Sequence, residues 1–412
     1  MNSVFCTCEK IWINAQLATM DPQVEASYGL LKGHAIGVKN GQITVISPLQ
    51  EIDINKCHGE IIDAQGNILT PGLIDSHTHL IYGGQRSLEF TQRLDGSSYE
   101  EISRTGGGIL ATVTATRALS EDELVEQAQP RLEALLNEGV TTVEIKSGYG
   151  LTLNDELKML RAAKKLAADY PFHLRSTLLA AHTIPPEFRD SPDAYIELIC
   201  QEMIPRVADE GLAEAVDIFC EKIAFSAAQS EQLFIAAEKA GLGIKVHAEQ
   251  LSNSHGAELA ASYSAWSVDH LEYLDEAGIK ALKKSETVAT LLPGAFYFLG
   301  ETKQPPVELL RQYQVPMALA SDLNPGSCPL ASLRLMMNMG CVLFGLTPEE
   351  ALQATTRNGA AALGLGEVTG TLRVGKAADM LLWDIDDPAQ LAYQFGATRL
   401  LQRIFAGEIS HV

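Results

Sequence analysis

A chain of 412 residues exceeds what one ordinary domain needs, and it suits either a large α/β barrel with appendages or two domains. With 46% hydrophobic and 20% charged residues it has the composition of a folded globular protein, which excludes general disorder. The formal net charge of -21 excludes broad binding to nucleic acid or anionic membrane, which needs clustered Lys and Arg. It leaves room for a small anionic substrate held by one well-placed Arg.

The opening residues, MNSVFCTCEKIWINAQ, lack the basic stretch and apolar run of a secretory signal. No apolar run approaches the roughly 20 residues of a spanning helix. The seven cysteines are scattered and show no zinc-ribbon spacing, and Cys6 and Cys8 read as small buried residues of a first strand. Reduced thiols without a targeting signal or anchor lead to the expectation of a cytoplasmic protein.

Residues 1–68 read as short strands joined by turns, with AIGVKNGQITVIS forming a hairpin around Asn40-Gly41. The last stretch, 356–412, has the same character in GTLRVGKAADMLLWDID. Two β-rich ends around a different middle predict one small β-sandwich assembled from both termini. The middle, 69–355, alternates strand and helix. Apolar β-rich runs occur at ILTPGLID, VTTVEIK, HLRSTLLAA, AVDIFC, GIKVHA, WSVDHL, ETVATLL and VPMALAS. Helical patterns lie between several of them; one opens with Ser120 as cap and Glu123 at the capping-box position, and ends near Gly139. This alternation predicts an α/β fold, a (β/α)8 TIM-type barrel, over an open doubly wound sheet. An open sheet carries a Gly-rich phosphate loop after its first strand, and Gly106-Gly107-Gly108 lies outside any such context.

In a barrel, chemistry sits at the carboxyl ends of the strands. The first strand ends in Asp75-Ser76-His77-Thr78-His79, and residues two apart in a strand share a face, so His77 and His79 point together. The fifth strand ends at His247, the sixth at His270 and the eighth at Asp322; His182 follows the third, and His173 stands at a strand start. Imidazoles with one carboxylate suit Zn²⁺ or iron, Fe²⁺ or Fe³⁺, with a position left for water.

The run from Ile62 to His79, IDAQGNILTPGLIDSHTH, resembles the entry motif of the amidohydrolase superfamily, and the likeness extends over nearly the whole chain to the segment Gly370 to Asp379. A finer likeness rests on Gly84-Gln85-Arg86, Arg104 to Ile109, Glu144 to Gly150, Ala180-Ala181-His182, His247 to Gln250 and Ser321 to Ser327. It is to the branch of histidine degradation that opens the ring of 4-imidazolone-5-propanoate to N-formimidoyl-L-glutamate. The resemblance implies one divalent metal held by His77, His79, His247 and Asp322, and a small-molecule pocket containing Arg86, Tyr149, His182, Gln250, Asn324, Gly326 and Ser327. It also implies a homodimer. Arg86 offers a forked cation to the substrate carboxylate. A metal-activated water would attack the ring carbonyl, with Asp322 moving its proton and His270 stabilising the oxyanion; His270 is the alternative first base.

Three features keep other readings open. Glu221-Lys222 falls at the end of the fourth strand, where a carboxylated lysine or a glutamate bridges two metals in some amidohydrolases; the alternative is a salt bridge between the two. Glu249, beside His247, is placed as a proton shuttle would be in an amino-heterocycle deaminase. The loop Arg104 to Ile109 either closes over the substrate or is an ordinary connection.

Overall fold

The computed structural model describes residues 3–96, 107–394, 396 and 399–410. The N-terminal part contributes β1 (Lys10–Ala18), β2 (Leu30–Lys39), β3 (Gln42–Pro48), β4 (Glu60–Asp63) and β5 (Ile68–Pro71). The barrel strands are β6 (Leu73–Asp75), β7 (Val140–Lys146), β8 (His173–Ala181), β9 (Ala215–Cys220), β10 (Gly243–Ala248), β11 (Ser267–His270), β12 (Val288–Leu291) and β13 (Met317–Leu319). After them come β14 (Met380–Asp384), β15 (Arg399–Phe405) and β16 (Glu408–Ser410).

Strands from both ends of the chain form one mixed sheet in the order β16-β15-β14-β5-β1-β2-β3, with β4 paired to β1. The sheet curls until Gln42 at the start of β3 bridges Ala377 just before β14. The two layers expected of a sandwich are thus one sheet folded over an apolar interior that includes Trp12, Leu17, Ile36, Leu69, Met380 and Leu382. Each such burial stabilises by about 1.5–3 kcal/mol. At the β2–β3 hairpin, Asn40 (φ 50) and Gly41 (φ 72) both adopt the left-handed backbone that a two-residue turn between twisted strands requires. Cys6 and Cys8 do not lie in a strand. Cys6 sits in the 3-10 turn Ser3–Thr7, and Cys8 is buried with Phe5, Ile11 and Val45 ahead of β1.

The run ILTPGLID divides at Gly72: β5 pairs with β1 and β14, and β6 pairs with β7 in the second sheet. That sheet is parallel throughout, in the sequential order β6 to β13. Hydrogen bonds from Asp322 N–H to the His77 carbonyl (2.9 Å) and from His79 N–H to the Leu323 carbonyl (2.9 Å) join its two edges. The segments carrying His77, His79 and Asp322 are therefore joined backbone to backbone. Ser120 caps the helix Glu121–Asn137 in a full capping box with Glu123, and the chain turns at Gly139. Leu132, Leu136, Leu160, Leu166 and Phe234 from the surrounding helices belong to the large apolar layer outside the barrel. The short helix Arg357–Ala361 lies against the strands from below, and the Ala362 carbonyl accepts from Lys245 inside the barrel.

Candidate active site

The predicted metal-binding side chains converge. The ligand atoms of His77, His79 and His247 lie within 4.8 Å of one another. Asp322 Oδ1 is 3.4 Å from both His77 Nε2 and His79 Nε2. All four residues are buried, and the Nε2 atoms of His77 and His247 have no hydrogen-bond partner. Two buried, unpartnered imidazole nitrogens facing a carboxylate are the donor set a divalent ion requires. The local field agrees. Burial and Lys146 act against charge on His77, yet Asp269 and Asp322 outweigh them and raise it to about 9, so positive charge is favoured there. Burial opposes ionisation of Asp322 as well, but His77 and His79 hold it well below the usual carboxylate range.

Two further carboxylates aim the imidazoles. His77 Nδ1 donates to Asp269 Oδ2 at 2.6 Å, and His247 Nδ1 donates to Asp217 Oδ1 at 3.0 Å. With Nδ1 held by the carboxylate, Nε2 is the nitrogen left to a metal, which on His77 would take the place of the second proton. Sequence reasoning missed both aspartates. A local signal was present only for Asp217, which shares a face of β9 with pocket-lining Phe219.

His270 ends β11 with φ 86, followed by Leu271 with φ 77, and this left-handed pair turns its ring toward His77 and His247 at centroid distances of 5.9 and 5.4 Å. Burial pushes its pKa down to about 3, so the ring is neutral, and its Nδ1 has no partner. His182 stacks on His79 at 5.0 Å, and its Nδ1 is 3.1 Å from the Gly148 carbonyl. Burial holds His182 neutral and raises the Tyr149 phenol above its ordinary range, so both serve as uncharged hydrogen-bonding groups. His173 stands at the opposite end of the barrel and contacts Asp379 at 2.9 Å.

His79, Tyr149, His182, His247, His270 and Asp322 open onto a cavity of about 500 Å³ that Gln250, Ser327 and Arg86 also line. Arg86 differs from expectation in one respect: its Nε and Nη2 donate to Glu89 at 2.8 and 2.6 Å, so part of its fork is taken. Its Nη1 passes over Gly326, where a Cβ would come within 2.2 Å, so any larger residue there displaces the tip of Arg86. Arg93 lines the same cavity and was not anticipated. The Asn324 side chain serves the loop itself. Its amide donates to the Asp322 carbonyl and to Ser327 Oγ, each at 2.7 Å, and its oxygen accepts from Gly326 and Ser327 N–H.

The side chains behind the two alternatives, at Glu221-Lys222 and at Glu249, are engaged elsewhere or exposed. Lys222 is exposed. Glu221 accepts from the N–H groups of Leu251 and Ser252 and from Ser252 Oγ, so its carboxylate is engaged by that loop and does not pair with Lys222. Glu249 turns away with φ 52 and accepts from Gly256 and Ala257 N–H at 2.8 and 3.0 Å, at the start of the helix Gly256–Ser262. Of the glycine-rich loop, Arg104, Thr105 and Gly106 lie outside the described residues; Gly108 N–H donates to Glu89 at 3.1 Å.

A parallel eight-stranded barrel with His-x-His after its first strand, single histidines at the ends of the fifth and sixth and an aspartate after the eighth defines a class of metal-dependent hydrolases. The chain belongs to the amidohydrolase family, whose model matches residues 68–409. It is 57% identical over 401 residues to an imidazolonepropionase of Hahella chejuensis, a match spanning 97% of this chain and 99% of that one. It is 55% identical over 402 residues to the imidazolonepropionase of Chromobacterium violaceum, spanning 98% and 97%. Among solved structures it is similar in fold to a triazine hydrolase variant (TM-score 0.75, 17% identity, 97% and 94% covered). It is also similar to a zinc-containing adenosine deaminase of Xanthomonas campestris (TM-score 0.69, 18% identity, 98% and 92% covered). No helix among the described residues is long and apolar enough to cross a membrane.

Proposed function

We propose that this chain hydrolyses the ring amide of 4-imidazolone-5-propanoate to N-formimidoyl-L-glutamate, the reaction of histidine degradation. The observation that carries this reading is full-length identity above 50% to imidazolonepropionases. The cavity supports it, with Arg86 and the neutral pair Tyr149 and His182 sharing one space with the buried histidine–aspartate set. Zinc or iron bound by His77, His79, His247 and Asp322 would supply Lewis acidity toward oxygen.

The chain's own groups account for the rest. The water oxygen bonds to the ring carbonyl carbon, the adjacent C–N bond breaks, and the ring nitrogen leaves with the electron pair and a proton. Asp322, ionised and buried, accepts the proton from water and delivers it to that nitrogen. His270 stays neutral and uses an N–H to stabilise the developing oxyanion. Arg86 binds the propanoate carboxylate, leaving the ring to lie toward His182 and Tyr149. The outward turn of Glu249 disfavours the deaminase reading, because its carboxylate is spent on a helix terminus.

The test is turnover of freshly prepared 4-imidazolone-5-propanoate, followed by loss of ring absorbance and by mass identification of the product. Formation of formimidoyl-glutamate supports the reading. Absence of turnover in zinc- or iron-loaded protein overturns it.

A further inference from the structure

The interior of the barrel beneath the site is charged where such interiors are usually filled by branched apolar side chains. Glu144, Lys146, Asp217, Lys245 and Asp269 are all fully buried there. Lys146 Nζ lies 2.7 Å from Asp217 Oδ2, 2.9 Å from Glu144 Oε1 and 3.9 Å from Asp269 Oδ2. Thr177 Oγ1 donates to Glu144 at 2.5 Å. The two aspartates that Lys146 joins are the two that receive the Nδ1 protons of His77 and His247. The third imidazole, His79, has no partner on Nδ1.

We propose that Lys146 is a positioning residue of the metal site, setting two of the three metal-binding imidazoles through Asp217 and Asp269 without touching either ring. The inference rests on the metal reading of the site and deepens it. Burying several charges costs free energy that well-packed apolar side chains would avoid, so the fold alone gives no account of this cluster. Its contacts with the imidazoles do. Without the ammonium group, Glu144, Asp217 and Asp269 are left as three carboxylates facing one another across the barrel with Lys245 alone. Their repulsion moves the two aspartates, and the rings they hold turn with them.

Lys245 provides an internal control of equal burial and equal charge. Its Nζ is held mainly by uncharged oxygens: Ser267 Oγ at 2.7 Å and the carbonyls of Ser76 and Ala362 at 3.2 Å. It stands 3.6 Å from Asp269, nearer than Lys146 does, and 3.7 Å from Glu144, but it makes no contact with Asp217. Removing it takes the same charge from the barrel and, of the two aspartates, loosens Asp269 alone, leaving the Lys146–Asp217 pair in place.

The experiment is zinc affinity by competition with a chromophoric chelator, on wild type, Lys146→Met, Lys146→Gln and Lys245→Met, with melting temperatures of the metal-free chains measured beside it. Lys146→Gln keeps a hydrogen-bond donor toward Asp217 and so guards against failure of the methionine variant to fold. The expected result is a loss of zinc affinity of about 10- to 100-fold in the Lys146 variants, the range typical when a group supporting metal ligands is removed. The loss in Lys245→Met is expected to be several-fold smaller even where its melting temperature falls as far. Wild-type affinity in a folded Lys146 variant, or equal losses at Lys146 and Lys245, would overturn the inference. Failure of the wild-type chain to bind zinc would instead remove the metal reading on which it rests.

Discussion

The two sheets of this molecule are filled in opposite ways. The curled terminal sheet closes over Trp12, Leu17, Ile36, Leu69, Met380 and Leu382, an interior with one evident task, stability. The barrel keeps its apolar layer on the outside, against its helices, and fills its own interior with Glu144, Lys146, Asp217, Lys245 and Asp269. The difference shows where each element spends its burial. The terminal sheet's core supports a scaffold, whereas the charged barrel interior lies directly beneath His77 and His247 and holds them in place.

That contrast makes substitutions in the two interiors fail in different ways. The largest effect is expected at the site itself: Asp322→Asn should lower kcat on the order of 10⁴-fold while the chain stays folded, measured by turnover and circular dichroism. Next, Trp12→Ala should cost about 3–5 kcal/mol of stability in denaturant titration, with kcat per folded molecule unchanged. A loss of kcat there would mean that the terminal sheet shapes the site after all. Arg86→Ala should raise KM about 10- to 100-fold, the worth of a charge-assisted hydrogen bond to the substrate carboxylate, with kcat changed much less.

The smallest effect is pH-dependent. Glu272 is buried with one carboxylate oxygen unpartnered, and burial raises its pKa to about 8. In the unfolded chain it ionises near 4.5. Its contribution to stability is therefore full below about pH 4.5 and is lost as pH rises through about 8. Glu272→Gln should flatten the fall in melting temperature between pH 6 and pH 9, and an unchanged slope would show that Glu272 ionises without penalty.

Much of this was legible in the sequence because local rules were sufficient. Alternating apolar runs gave all eight barrel strands, Asn40-Gly41 the hairpin, Ser120 with Glu123 the helix start, and strand-end placement brought together His77, His79, His247, His270 and Asp322. What escaped depends on contacts between distant residues. Asp217 and Asp269 gain meaning only once β9 and β11 stand beside the strands carrying histidines, and Lys146 only once it is seen between them. Glu249 stands two residues after His247 in sequence, yet its own left-handed backbone sends its carboxylate to a helix terminus. Residues two apart share a face only while the strand continues, and the positive φ of Glu249 ends that alternation.

The most direct test of the central claim is a zinc titration of metal-stripped wild-type protein, read by turnover of 4-imidazolone-5-propanoate. A single set of His77, His79, His247 and Asp322 predicts no turnover at the start, a linear rise, and a sharp break at one equivalent of zinc. Full activity in the stripped chain, or a break at two equivalents, would contradict it.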